Sequence, residues 1–507
     1  MGHTWNRLGL LAAAGVVASC GGGGGGGDSG GGGAVCPAVS TVTAKSAAVD
    51  APVQAESLRQ TAGTAASALQ PHSGPLVRAR AIALGEVAQA KVAAVKPLLA
   101  QRGVPQQIGL PRDVAATGTV ASTTALLQWQ ATAAGGKVAA ISIDSGLAVG
   151  LRLGVLVKSL PASATLRVYA QGAGKAYTIP AQDVLATLAR NRAAGDTSDE
   201  GRTYWGPVVE GTEATLEIEL PAQVSTAGVE IAIPRVSHMF SSPLSDTKAG
   251  NVAKAAVGSC EVDTACEPSY ATESNSVARM SFVENGVSYL CTGTLLNDAT
   301  GSGTPYFLGA NHCISTQTAA STLETWWFWR ASTCGGASGD ANYTTRIGGA
   351  TLLYASTSTD TAFMRLADTP PTGAVFAGWS VAAPVLGNAV ASLHYPQGSW
   401  QSISTGVLNS FLRCTPLSPT SLDFSCTSST QGSSNFVNTL FTRGSTEEGS
   451  SGAPLFTTIG GGRYLVGQLY GGSSSCSNPS GTNAYGRFDV AYNARLRQWL
   501  APSSNCP

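Results

Sequence analysis

Between residues 137 and 233 apolar and polar side chains alternate in short runs: Lys137 to Ile143, Leu147 to Leu156, Ala164 to Tyr169, Thr215 to Leu220 and Val229 to Ile233, separated by Gly, Pro, Asn and Asp. Alternate residues of a strand face opposite sides, so such runs predict half-buried strands, and their close spacing predicts a small β-sandwich over about residues 115–236. The stretch before it, 45 to about 105, has a different texture. It is rich in Ala, Leu, Val and Gln with spaced charges, as in Glu86-Val-Ala-Gln-Ala-Lys-Val-Ala-Ala-Val-Lys, and reads as amphipathic helix. From Cys260 onward short β-runs return with Gly-rich connections, among them Phe282 to Thr294, Thr325 to Trp329, Ala389 to Leu393 and Arg463 to Leu469. These predict an all-β domain of two barrels or a sandwich. One helix closes the chain, Ala491 to Leu500, apolar at helical spacing ahead of Pro502. Residues 241–259 hold Lys248 and Lys254 without any apolar period, the pattern of an exposed, cleavable linker.

A chain of 507 residues exceeds what one core organises, so several domains are expected. At the amino end Arg7 precedes an apolar run, Leu8 to Ala18, too short to span a bilayer but suited to an export signal. The run ends in Val17-Ala18-Ser19-Cys20, which resembles the lipobox of bacterial lipoproteins. That resemblance implies a signal peptide over 1–20, lipidation of Cys20 and a membrane anchor, with ordinary small-residue cleavage as the alternative. Glycines at 21–27 and 30–33 make residues 21–44 a flexible tether, leaving 45–240 as a pro-region and 260–507 as a separate domain. An exported protein, secreted or held in a bacterial cell envelope, is expected.

Lys+Arg and Asp+Glu are both 30 and only 12% of residues are charged, so there is no basic footprint for nucleic acid. Nine of the 11 cysteines fall between Cys260 and Cys506, scattered without the close CxxC pairs of a zinc site. Disulfides are the better reading, and neither metal nor cofactor is expected.

The chemistry concentrates in the last 250 or so residues. Attack on an amide needs a nucleophile, a base, a group that orients the base, and donors for the oxyanion. Gly449-Ser450-Ser451-Gly452-Ala453-Pro454 sets a serine between glycines, where a tight turn can expose its hydroxyl and aim the Gly449 and Ser451 amides at one point. Tyr306-Phe-Leu-Gly-Ala-Asn-His312-Cys313 places one of only five histidines directly after an apolar strand, and a Cys291 to Cys313 bridge would clamp its loop. Asp360, in Ser358-Thr359-Asp360-Thr361, heads another apolar strand, where a turn-capping role is equally open.

Taken in order, Cys291-Thr-Gly-Thr-Leu, Ala-Asn-His312-Cys, Asp360-Thr-Ala-Phe-Met-Arg-Leu, Gly449-Ser-Ser-Gly-Ala-Pro and Gly467-Gln-Leu-Tyr-Gly-Gly resemble the chymotrypsin-like serine proteases, nearest the bacterial lysyl endopeptidases. The resemblance covers about residues 255–500. It implies a mainly β fold, a chymotrypsin-like double β-barrel preceded by a helical segment and a β-sandwich pro-region, and a serine endopeptidase acting on polypeptides. Its roles would be His312 as base, Asp360 as orienter, Ser451 as nucleophile, and the Gly449 and Ser451 amides as oxyanion hole. His394, in Leu-His-Tyr-Pro, becomes a family feature with a structural role. The implied bridges are Cys260 with Cys476, Cys266 with Cys334 and Cys291 with Cys313, leaving Cys414 and Cys426 as a local extra and Cys36 with Cys506 by parity alone. Tyr204-Trp-Gly-Pro-Val and Thr215-Leu-Glu-Ile-Glu-Leu-Pro are similar to the propeptides of that group, which implies a folding aid or inhibitor.

Cleavage after Lys254 would set Cys260 at the distance from the new terminus seen in the mature family. Many animal members pair that terminus with an aspartate just before the catalytic serine. Ser450 stands there, so activation by terminus insertion is not expected, and the Cys260 bridge would hold the terminus instead. Lysine preference in the family needs an acid at the floor of the specificity pocket. The segment Cys476 to Tyr485 is shorter here and lacks that aspartate, and Tyr470 stands where the family has a histidine. Preference for small, polar or apolar side chains is the resulting expectation, with Glu447 and Glu448 as solvated rim charges that could still present an anion. Two rivals stay on the table: a non-catalytic surface lipoprotein or binding module on a protease-like scaffold, and a metal-dependent hydrolase, against which the dispersed histidines and the lack of HExxH count.

Overall fold

The alternation read along Lys137–Ile143 and Thr215–Leu220 closes into a ladder. Strands Lys137–Gly146 and Glu213–Leu220 run antiparallel, from Glu213 opposite Asp144 to Leu220 opposite Lys137. In the computed structural model, residues 51–57, 69–71, 78–87, 105–241, 260–418 and 424–502 are described. The export signal, the tether and nearly all of the linker, with Lys254, lie outside them.

The first half of the described chain has two sheets. One orders its strands 69–71, 175–180, 165–169, 213–220, 137–146 and 80–86; the other orders 203–205, 150–159, 230–239 and 109–113. Ile141, Ile143, Leu216 and Ile218 of the first meet Leu151, Leu153, Val155, Ile231 and Ile233 of the second in one apolar cluster. Each such side chain contributes about 1.5–3 kcal/mol by leaving water, which holds the two layers together.

Two elements differ from expectation. Where residues of 45–105 are described they are extended: Glu56–Ser57, Leu69–Pro71 and Arg80–Glu86 are strands. Arg80–Glu86 pairs in parallel with Lys137–Gly146, and Ile82 and Leu84, two apart, pack on the core. The period is therefore two, and an open sheet edge outweighs the helical composition. Residues 88–104, most of the run that suggested the helix, lie outside the described residues. Conversely, Ala181–Ala193 is a helix that buries Ala181, Val184, Thr187, Leu188 and Asn191, with Asp183 in its first turn and Arg190 and Arg192 in its last.

The second half is mainly β, as expected, with two barrel-like sheets. The first orders its strands 344–346, 324–327, 277–284, 287–296, 306–310, 361–366 and 350–356. The second runs 389–394, 454–459, 462–472, 483–487, 436–443 and 402–416, and closes because 402–416 pairs back with 389–394. The final helix is present over Phe488–Leu500 with one wide turn at Tyr492–Leu496, and it lays Phe488 and Tyr492 against Trp379 at 5.6 and 5.2 Å.

The first half docks on the first barrel of the second half. Gln106–Gln107 adds a short strand to Val287–Leu296, opposite Leu290 and Tyr289. Arg190 donates to Gly348 O at 2.8 Å, and Ser321 Oγ donates to Asn191 Oδ1 at 2.7 Å. Residues 53–57 reach further, pairing Val53 with Trp379 and Glu56–Ser57 with Val375–Phe376 between the barrels. At the centre of the interface Arg152 donates to Gly206 O and Thr322 O and lies 3.5 Å from Glu324 Oε1, both side chains being 2% exposed. Glu324 also accepts Val208 N–H at 3.0 Å. Burial pushes the Glu324 carboxyl above its ordinary range, against the pull of Arg152.

Removing one member of a buried pair strands the other. Glu324→Ala is expected to lower the stability of the full chain by about 3–5 kcal/mol in urea unfolding. The double replacement Arg152→Met with Glu324→Met should recover most of that loss, and an equally unstable double variant would show that the charge is not the cause.

Candidate active site

The serine turn is shaped by its glycines. Gly449 and Gly452 have φ of +86° and +84°, values that side chains other than glycine rarely adopt. Space forbids a side chain too: a Cβ at Gly452 would meet Thr292 O and lie 3.0 Å from Ala310 N, and one at Gly449 would lie 2.9 Å from Tyr395 O. Turn hydrogen bonds from Ser450 N to Glu447 O and from Ala453 N to Ser450 O fix the bend. The first barrel then clamps it: Thr292 N donates to Ser451 O at 2.8 Å and Thr292 Oγ1 to Gly449 O at 2.9 Å.

His312 follows the strand Tyr306–Ala310, and its position is set by Asp360. The Asp360 carboxylate accepts the His312 backbone N–H at 2.9 Å and faces Nδ1 at 2.7 Å. With Nδ1 donating to a carboxylate, the proton of neutral His312 sits there, and Nε2 is left as the basic atom. Nε2 is buried and has no hydrogen-bond partner. Burial pushes the Asp360 carboxyl upward while the imidazole and backbone N–H groups hold it down. The Cys291–Cys313 bond ties the residue after His312 to the clamp strand.

Asp360 occupies a left-handed backbone conformation, φ +51°, which disfavours a residue with a side chain. Gln468, fully buried on the strand Gly462–Gly472, holds that turn from the other barrel. Its Nε2 donates to Thr359 O at 2.7 Å and Thr361 Oγ1 at 3.0 Å. Gln468 was not singled out in the sequence; the signal was an amide inside the otherwise apolar Leu465-Val-Gly-Gln-Leu run. Beside His312 stands Tyr470, 5.7 Å away between ring centres and stacked on Phe424 at 3.8 Å.

The structure thus joins His312 to Asp360, holds the Ser451 and Gly449 carbonyls on Thr292, and sets Ser451 O 3.9 Å from Sγ of Cys313, the residue after His312. Cys260–Cys476, Cys266–Cys334, Cys291–Cys313 and Cys414–Cys426 are bonded. Cys20, Cys36, Lys254 and Cys506 lie outside the described residues.

The sequence family described as lysyl endopeptidase, C-terminal domain, matches residues 255–486, and the lysyl endopeptidase N-terminal domain matches 82–240. A lysyl endopeptidase of Pseudomonas aeruginosa is 31% identical over 429 residues, covering 81% of this chain and 85% of that protein. The chain belongs to the lysyl endopeptidase family. It is accordingly a serine endopeptidase, which removes the non-catalytic alternative. Among solved structures, the MamO protease domain of Magnetospirillum magneticum is 13% identical with a TM-score of 0.30, covering 44% of this chain and 98% of its own. The active form of the Rv3671c protease of M. tuberculosis is 15% identical with a TM-score of 0.30, covering 48% and 88%.

Around the serine turn this family member is lined by neutral groups and two acids. On the strand Asn483–Arg487 side chains alternate, so Thr482 and Ala484 line a cavity with Gly472, Ser473, Phe424 and Cys426. Asn483 turns the other way, fully buried, and accepts from Thr446 Oγ1. Glu447, expected as a solvated rim charge, is half-buried: it accepts from Cys476 N at 3.1 Å on its inner side and from Gln397 Nε2 on its exposed side. The rim reading could not see this contact because Cys476 lies 29 residues further along the chain.

Glu261, beside the Cys260–Cys476 bond, was also missed. Both its carboxylate oxygens are closed off from water and without a hydrogen-bond partner, though its stem reaches the surface. Burial, then the charge of Glu447, pushes its carboxyl well above the ordinary range. Below the ordinary value both folded and unfolded chains hold the proton and nothing is lost. Above it the unfolded chain ionises first, so stability falls as pH rises toward the folded value. Glu261→Gln should therefore melt higher than the parent at pH 8, with the gap closing as pH drops below about 4. Equal melting temperatures at pH 8 would mean that Glu261 has a partner or escapes to water.

Proposed function

We propose that this endopeptidase works through Ser451, His312 and Asp360. The observation that carries the reading is the half-used imidazole: Nδ1 is committed to Asp360, while Nε2 has no partner next to a turn held open by Gly449 and Gly452. Nε2 takes the Ser451 hydroxyl proton as Oγ attacks the scissile carbonyl. The Gly449 and Ser451 N–H groups bind the oxyanion, a device whose single-donor loss typically costs on the order of 10²–10³ in kcat. His312 then gives the proton to the departing amine, leaving an acyl-enzyme at Ser451. A water, deprotonated at the same Nε2, hydrolyses it. Asp360 keeps the ring in the useful tautomer and offsets the imidazolium charge.

The side chain preferred at the cut is neutral, small, polar or apolar. Supporting this is the Thr446–Asn483 pair, hydroxyl to amide, just ahead of the nucleophile, and the engagement of Glu447 by Cys476 and Gln397. The pro-region, residues 45–240, is a folding aid and inhibitor of its own catalytic half. Its support is the added strand Gln106–Gln107 and the Gln106 side chain, whose Oε1 lies 3.1 Å from where a Cβ on Gly449 would stand. Export, acylation of Cys20 and cutting after Lys254 by another enzyme complete the proposed maturation, and four disulfides suit the oxidising compartment it leads to.

Once the pro-region is removed, a fluorophosphonate should label the parent and fail to label Ser451→Ala, and a positional peptide library should be cut after neutral residues. Equal labelling of both proteins would exclude Ser451, and cleavage confined to lysine would overturn the specificity. Intact mass and amino-terminal sequencing of the natural product should find Ala255 first on the mature protein and an acylated Cys20 on the released piece. Any other first residue rejects the Lys254 cut, and an unmodified Cys20 rejects the anchor.

A further inference from the structure

His394 ends the strand Ala389–His394 and is fully buried, with a serine on each ring nitrogen: Ser450 Oγ at 2.9 Å from Nδ1 and Ser404 Oγ at 3.0 Å from Nε2. The proton directions can be worked out. A hydroxyl has one proton, and that of Ser404 goes to Ser445 O at 2.8 Å. Ser404 must therefore accept from His394, which puts the imidazole proton on Nε2. Nδ1 is then bare and accepts the Ser450 hydroxyl proton. Ser450 Oγ in turn accepts from Glu447 N–H at 3.3 Å. One unbroken chain of donors thus runs from the Glu447 amide through Ser450, His394 and Ser404 to the Ser445 carbonyl. Both of its ends lie in the segment that carries the Gly449 amide.

Only a neutral imidazole has both a donor and an acceptor nitrogen. Burial favours that form, pushing the His394 value down to about 3. Ser450, His394, Ser404 and Ser445 are all buried, so water cannot replace a missing member.

We infer that His394 is the positioning residue that sets the oxyanion turn, through Ser450, in its working shape without help from a new amino terminus. The inference rests on the Ser451 reading and deepens it. Ser450 carries no charge to draw in an ammonium, and its hydroxyl is already engaged by His394. The turn is consequently built into the second barrel, and activation reduces to removal of the pro-region.

The test uses mature enzyme, with parent protein first shown to take a fluorophosphonate at Ser451; failure there would be a failure of the nucleophile assignment. Ser450→Ala removes one hydroxyl and is expected to fold, and His394→Phe keeps the ring shape without its nitrogens. Each should lower kcat about 10–100-fold with little change in KM, less than the roughly 10²–10³ lost with a whole oxyanion donor because the Gly449 amide is shifted and not removed. Each should weaken a peptide aldehyde inhibitor by a similar factor, and the double variant should be no worse than the worse single one. Extending the mature amino terminus by two residues should leave kcat unchanged. Lower melting temperatures with parental kcat in Ser450→Ala would reduce the network to a stability role, and loss of activity on extending the terminus would restore terminus insertion. Either result overturns the inference.

Discussion

No side chain fits at position 452. The turn that bears Ser451 lies so close to the first barrel that a Cβ there would meet the Thr292 carbonyl and crowd the Ala310 amide. Much of the site follows from that approach. It lets Thr292 grip Ser451 and Gly449 by their carbonyls, and it brings the strand leading to His312 alongside the Ser451 turn. A second barrel-to-barrel grip answers it, from Gln468 to the Thr359–Thr361 turn, where Asp360 sits in a backbone conformation that would relax if left unsupported. The catalytic half is therefore two barrels stitched at two turns, each stitch ending on a backbone carbonyl.

The stitches share a chemistry. In a chain with 12% charged residues, hydroxyls and amides do the buried polar work: Thr292, Ser404, Ser450, Thr446, Asn483 and Gln468 are all almost fully closed off from water. A hydroxyl both donates and accepts and leaves no charge to desolvate, so it can link strands inside a core where an ion pair would struggle to recover its loss of hydration. The cost is direction. Each hydroxyl has one proton to give, so a linkage such as Glu447–Ser450–His394–Ser404–Ser445 works in one orientation only, and every member depends on the next.

These physical features explain what could be read from the chain. Lys137–Ile143, Thr215–Leu220 and Ala389–Leu393 were legible because burial on nearly every residue leaves short apolar runs between turn residues, and the final helix because its apolar residues fall at helical spacing. The His312-Cys313 bracket and the Gly449–Gly452 turn were legible because a tight bend restricts residue choice locally. Arg80–Glu86 was misread as helix because its partner, Lys137–Gly146, lies more than 50 residues away and only that edge makes it a strand. Ala181–Ala193 was passed over amid strands, although its buried positions fall at helical spacing. Glu261, Glu447, Gln468 and the partners of His394 were beyond local reading, since what defines each is a neighbour brought in from another part of the chain.

The two barrels differ in a way that bears on the pro-region. The second closes on itself, because Ser402–Pro416 pairs with both Ala389–His394 and Phe436–Arg443. Among the described residues the first is an open path of strands whose interior strand Val287–Leu296 is paired with Tyr306–Ala310 only at its end, and unpaired backbone invites wrong partners during folding. It is on this barrel that Gln106–Gln107 adds its strand, that Arg152 meets Glu324, and that the helix Ala181–Ala193 docks beside Gln317–Ser321. A folding aid has its greatest effect where the pattern is least self-completing. The same added strand delivers Gln106 to Gly449, so the contact that would guide the first barrel also sits at the oxyanion turn of the second. Under the proposed role of this half, assistance and inhibition would be two consequences of one strand.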